Sequence, residues 1–241
     1  MALSGNLMMY NDSALILNFP CDIFGLFKQV FVLTYMFYGQ IQRYYFDLHK
    51  IRYKFLSVRC ENQTHQLVPY CQRNVHDKSW LKAKTNIYEG KLNVIGDPAF
   101  SLSKKWLSKR GNANKLCKAA YNFLTNKVKA KVCDTLWTTV KGENDKIKDN
   151  VKPKNFATCF LAMTTRATNE YNDRFNLAYL VNRFMNPIEK KFFEQYGIKV
   201  EEDRWALSEL IQWVWRSRIR EGQPIQKNAQ PFDYIPKQRS I

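Results

Sequence analysis

The stretch Lys28-Gln29-Val30-Phe31-Val32-Leu33-Thr34 is rich in β-branched and aromatic residues, and directly after it Phe37, Ile41, Tyr44, Tyr45 and Leu48 recur at helical spacing up to His49-Lys50. A strand buried on both faces reads as a near-continuous apolar run, because helices cover both sides of a parallel sheet. An amphipathic helix instead gathers its apolar residues on one face at a period of about 3.6. A strand running into such a helix is an α/β signature. Further strands are expected at residues 14–20, 53–58, 92–95 and 156–162, the last entering a polar turn at residues 164–169. Helices are expected at residues 173–185 and 188–196, with Gly197 placed to end the second. Another is expected at residues 208–220, closed by Gly222 and Pro224. No internal repeat interrupts this order.

A chain of 241 residues with 45% hydrophobic content supports packed cores, which excludes disorder of the whole chain. Lys+Arg 38 against Asp+Glu 21 gives a net charge of +17, and such a field draws phosphate polymers or anionic membranes. Nucleic acid is the leading partner class, against the plainer reading of a basic solvated surface. The charge is densest in residues 104–131, where Lys104, Lys105, Lys109, Arg110, Lys115, Lys118, Lys127, Lys129 and Lys131 occur with no Asp or Glu among them. Trp106, Tyr121 and Phe123 interleave with them on an expected helix, so phosphate contact and a solvated helical face stand as equal readings.

The six cysteines form no CxxC pair and have no histidine at ligand spacing, which argues against a structural zinc. No secretory leader is visible, so reduced thiols and a cytoplasmic location are expected. The most apolar window, residues 30–38, is too short to cross a bilayer, and no membrane partner is expected. The acidic triplet Glu201-Glu202-Asp203 reads as a solvated approach to a helix rather than a metal site. Asp97 before Pro98 reads as a turn residue, and Trp205, Trp213 and Trp215 as core.

In the expected helix at 208–220, Gln212, Arg216 and Arg220 are spaced i, i+4, i+8 and would share one face, opposite Leu207, Leu210, Ile211 and Val214. Taken alone this is an exposed arginine face. The wider run Gln212-Trp213-Val214-Trp215-Arg216-Ser217-Arg218-Ile219-Arg220-Glu221-Gly222, however, resembles the last motif of phage-type DEAD/DEAH-box helicases of superfamily 2. Thr165-Arg166-Ala167-Thr168-Asn169-Glu170-Tyr171 with Asp173-Arg174 is similar to the same family's Arg-Ala-Thr-Asn segment. Trp137-Thr138-Thr139-Val140-Lys141 resembles its preceding Trp-Thr-Thr-Phe-Lys block. Upstream, residues 32–37 with Gln40-Ile41-Gln42 and Tyr44-Tyr45-Phe46-Asp47 look like a strand and helix between the motifs of the two lobes, and Gly96-Asp97-Pro98-Ala99-Phe100-Ser101 looks like a further family block.

The resemblance implies a RecA-like C-terminal helicase lobe, with a mainly parallel sheet flanked by helices, at residues 59–241. It makes residues 104–131 a basic helical insertion and residues 1–58 the end of the first lobe. It implies that Arg216 and Arg220 act as arginine fingers, that Gln212 senses nucleotide, and that Arg166, Thr168 and Asn169 couple the nucleotide to nucleic acid. A hydrolysing γ-phosphate spreads charge over its oxygens, and arginines from a second lobe can neutralise it. The chain departs from the family in having neither GxxxxGK[ST] nor an Asp-Glu box. ATP and Mg are therefore expected only when a separate first helicase lobe completes the site, and the isolated chain is expected to hydrolyse no ATP. The competing expectation is a stand-alone nucleic-acid-binding or interaction module, from a decayed prophage gene or one half of a split helicase. A membrane-associated basic protein is the least favoured class.

Overall fold

A computed structural model describes residues 7–10, 14–17, 19–70, 79–165 and 168–228. In chain order the elements are β1 (Leu7–Tyr10), β2 (Ala14–Leu17), α1 (Ile41–Leu48), β3 (Leu56–Glu61), β4 (Thr64–Pro69), α2 (Ser79–Ala83) and β5 (Thr85–Ile87). They continue with α3 (Lys104–Leu107), α4 (Arg110–Asn122), β6 (Thr135–Thr138), α5 (Lys146–Val151), β7 (Asn176–Tyr179), α6 (Pro187–Gln195), α7 (Glu202–Val214) and β8 (Ile225–Asn228). The chain divides into two compact units, residues 1–69 with 184–208 and residues 70–183 with 209–241. No helix among the described residues is long and apolar enough to cross a membrane.

The second unit is an α/β fold. Its sheet has the order β5-β8-β7-β6, and every neighbouring pair is parallel. All four residues of β6 and all four of β7 are buried, as a parallel sheet covered on both faces requires. That burial explains why the helix expected at residues 173–185 is instead β7: residues 176–181 are buried without a break, and periodicity cannot separate such a run from a buried helix. Leu107, Ala113, Leu116, Ala120 and Phe123 pack with Trp137, Val151 and Ala178 in the main core. Burying a large side chain of this kind contributes about 1.5–3 kcal/mol.

Two polar groups drawn into this core find backbone carbonyl partners, while Thr138 Oγ1 and Asn176 Oδ1 are buried without a hydrogen-bond partner. Trp137 Nε1 donates to the Phe156 carbonyl at 2.6 Å, and the Thr139 hydroxyl donates to the Leu180 carbonyl at 3.0 Å. Residues 92–95 form a 3-10 turn at Val94–Gly96 rather than the expected strand. Of the strand expected at 156–162, a 3-10 turn takes Ala157–Cys159, and only Phe160 forms a parallel bridge, to Trp137.

The first unit holds two hairpins, β1 with β2 and β3 with β4. The strand expected at 53–58 thus starts later, at Leu56. The β3–β4 loop is Asn62-Gln63, with φ of 49° and 64°, and a two-residue loop left-handed at both positions matches the right-handed twist of the strands it joins. The helix expected after residue 37 is present as a 3-10 turn, Phe37–Gly39, followed by α1. The helix expected at 188–196 is α6, where Asn186 caps the start by accepting from the Ile188 N–H at 3.0 Å and Gly197, at φ 74°, follows the end.

Tyr44, Met185, Phe192 and Phe193 make a small buried cluster. Gly39 is required beside it, since a Cβ there would lie 2.7 Å from backbone atoms of Arg204 and Trp205. Two of the acidic triplet are ion-paired rather than merely solvated: Glu201 meets Arg204 at 2.5 Å and Arg43 at 3.5 Å, and Glu202 meets Lys190 at 2.8 Å.

The strand expected at residues 28–34 is not part of any sheet. The backbone there is irregular and makes no hydrogen bond to another described residue. Its side chains are exposed, Phe31 by 60% and Leu33 by 91%. The β-branched, aromatic pattern suits burial on both faces, yet the described residues supply no neighbouring strand.

Candidate functional site

The helix expected to carry Gln212, Arg216 and Arg220 on one face starts and stops earlier, running from Glu202 to Val214. Its first turn carries Glu202 and Asp203, favourable at the positive end of the helix dipole. At its end the Trp215 N–H still reaches back four residues to Ile211, but Arg216 and Ser217 reach back only three, to Trp213 and Val214. The Ser217 hydroxyl also donates to the Val214 carbonyl at 2.7 Å, a local alternative to further helical bonds. Ser217 is extended, and Arg218–Glu221 form a separate 3-10 turn that Gly222 ends at φ 70°. Gln212 is therefore half-buried in α7, Arg216 half-buried in the turn after it, and Arg220 exposed on the next turn. The three do not form one stripe on one helix.

The loop that begins at Met163 follows the Phe160 bridge, where the Leu161 N–H donates to the Trp137 carbonyl at 2.9 Å. Met163 lies at the carboxyl end of β7, its Sδ 4.0 Å from the Tyr179 hydroxyl, and burial pushes the Tyr179 phenol up from its ordinary pKa. Thr168 turns the loop by accepting from the Glu170 N–H at 3.3 Å. Asn169 Oδ1 then accepts a hydrogen bond from the Arg220 guanidinium across 51 residues of sequence. The two segments singled out for chemistry thus meet through one pair. Arg166 lies outside the described residues.

Sequence reasoning gave no role to three further basic residues, two of which, Arg174 and Arg218, lie within the motif segments. Lys84, just before β5, donates to the Gly222 carbonyl. Arg174, just before β7, donates to the Val132 carbonyl at 2.9 Å. The Arg218 guanidinium lies over the Phe175 ring at 4.0 Å and its Nε donates to the Pro224 carbonyl at 2.5 Å, while its backbone N–H donates to the Arg174 carbonyl at 3.0 Å. Lys84 and Arg174 sit in the one or two residues that lead into a parallel strand, and Arg218 in the turn before another, where long side chains can satisfy leftover carbonyls. They brace the entrances to β5, β7 and β8, while open α/β sheets place ligands at the carboxyl ends.

All nine cations of the basic run are exposed, from Lys104 to Lys131, and among the described residues none takes part in an ion pair within 4.0 Å. Lys115 and Lys118 stand on α4 turned away from its buried residues Ala113, Leu116 and Ala120. The interleaved aromatics serve the core instead: Phe123 is buried and Trp106 packs on the main cluster. A cavity lined by Leu92, Leu102, Leu116, Ala120, Tyr179 and Leu180 has about 20 Å³, room for one water. Among the described residues no three His, Cys, Asp or Glu side chains gather as a metal site.

The family model described as the YonV C-terminal Rossmann-like domain matches residues 79–239. The SPbeta prophage-derived uncharacterized protein YonV of Bacillus subtilis (strain 168) is 42% identical over 241 residues, which cover 99% of this chain and 56% of that protein. The chain thus spans little more than half the length of this curated relative. No solved structure matches.

Proposed function

The chain belongs to the YonV C-terminal Rossmann-like domain family, and from its motif-like segments we propose that it acts on nucleic acid as the second lobe of a helicase-like motor, completed by a nucleotide-holding lobe. The observation that carries this reading is the Arg220 to Asn169 hydrogen bond, which ties together the two segments that resemble helicase motifs. Coupling of a nucleotide to a nucleic-acid track requires such a link, since a change at one end must be felt at the other. Arg220 is exposed, and a guanidinium has five N–H donors, so binding Asn169 leaves donors free for phosphate oxygens.

A bound nucleoside triphosphate would supply the free energy of phosphoryl transfer. Arg216 and Arg220 would face its phosphates, and Gln212 would report its presence. The phosphate loop and metal-holding carboxylates would come from the other lobe, as this chain has neither. The unpaired cations from Lys104 to Lys131 would hold the nucleic-acid backbone without reading sequence.

The test of the nucleic-acid step is a salt titration. Affinity for single-stranded or duplex nucleic acid should fall linearly on logarithmic axes, with a slope set by the number of phosphates neutralised. Replacing Lys115 and Lys118 by Gln should flatten that slope by roughly one to two. Binding that ignores salt, or no binding at low salt, overturns this step. A second reading, a passive nucleic-acid-binding module, draws on the same unpaired cations; it requires no role for Arg216 or Arg220 in turnover.

A further inference from the structure

Residues 28–34 are strand-like in sequence, exposed in the fold, and free of hydrogen bonds to other described residues. Val30, Phe31, Val32 and Leu33 are exposed by 47%, 60%, 36% and 91%, so both faces of the segment show apolar side chains to water. Nearby in sequence the β3–β4 hairpin does the same on one face, where Val58 pairs with Leu67 and the two are exposed by 60% and 55%. A two-stranded hairpin is marginal by itself, and contiguous exposed apolar surface marks an interaction site.

We propose that residues 28–34 are a β-strand that docks onto the open edge of a β-sheet in a second protein module, one supplied by the part of the longer Bacillus relative outside this match. The chemistry selects a sheet. Two apolar faces suit a strand covered on both sides, whereas a segment lying on a lipid surface would keep one face polar. The backbone N–H and C=O groups would find no partner in a lipid interior, while a sheet edge presents a matching row of them. The segment is long enough, since seven residues at about 3.3 Å each span about 23 Å, a full strand. The source of the module follows from length: the chain covers 56% of its Bacillus relative, and the family model names the matching region as C-terminal in YonV. The proposal rests on the reading above in taking that module to be the nucleotide-holding lobe.

Amide hydrogen exchange tests it, on this chain and on the full-length Bacillus relative. In this chain the amides of residues 28–34 should exchange at close to unfolded rates at every protein concentration. In the full-length relative the aligned segment should exchange slower by on the order of 10³-fold, as paired sheet amides do. Proline at the position aligned with Val32 should abolish that protection in the relative, because it removes a ladder donor, while Val32→Pro leaves the melting temperature of this chain unchanged. Fast exchange in both proteins overturns the proposal. So does protection in this chain that grows with concentration, which would make a second copy the occupant. These readouts involve neither nucleotide turnover nor nucleic-acid binding, so the docking and the motor reading can fail separately.

Discussion

Two largely apolar runs meet opposite fates in this protein. Asn176-Leu177-Ala178-Tyr179 is buried at every position between two parallel neighbours, whereas Val30-Phe31-Val32-Leu33 is exposed at every position and pairs with nothing described. The unit around the first run closes a core of fourteen buried residues, and the unit around the second has a cluster of four. A near-continuous apolar run therefore states what a segment needs, burial on two faces. It does not state whether the same chain supplies it.

That contrast can be broken or sharpened by substitution. The largest effect is expected at Trp137, fully buried in β6 with its indole N–H bonded to Phe156: Trp137→Ala should cost about 3–5 kcal/mol in denaturant unfolding of the second unit. A loss under about 1 kcal/mol would mean this core is looser than its packing implies. In the first unit, Gly39→Ala should cost about 1–3 kcal/mol, because the new methyl meets the Arg204 and Trp205 backbone. A neutral result would show that α7 does not pack there as described. The smallest effect is expected at Leu33: Leu33→Ala should change stability by less than about 0.5 kcal/mol, as at other exposed sites. A loss comparable to that at Trp137 would place Leu33 in a core and erase the contrast.

The fold class was legible in sequence, but none of the four strands of the parallel sheet was. The alternation of apolar runs and helical spacing implied an α/β fold, and Asn186, Pro187 and Gly197 bracket α6 by ordinary capping chemistry. The misassignments have physical reasons. Residues 173–185 read as helix because a strand buried on both faces has no period of its own. The helix carrying Gln212 was drawn too long because the amphipathic spacing continues past Val214, while Ser217 and the turn at Arg218 divert the backbone. A register of i, i+4, i+8 thus failed to bring Arg216 and Arg220 onto one face. Asn169 and Arg220 were each singled out from separate motifs, but nothing in the sequence said that they touch. Lys84 lies in no motif, and Arg174 and Arg218, though inside the segments that resemble helicase motifs, have there no mark of the backbone carbonyls they meet.

The central claim is that Arg216 and Arg220 serve a nucleotide site completed by a second lobe, and the most direct measurement is nucleic-acid-stimulated ATP hydrolysis with this chain joined to a matching nucleotide-holding lobe. Lysine keeps the charge but loses the planar fork that spans two phosphate oxygens. Arg216→Lys and Arg220→Lys should each lower turnover by ~10³-fold or more with nucleic-acid affinity nearly intact, while Arg110→Lys on the exposed basic run should change turnover little. Equal and small effects at all three positions would contradict the account and leave Arg216 and Arg220 as ordinary surface charges of a passive binding module.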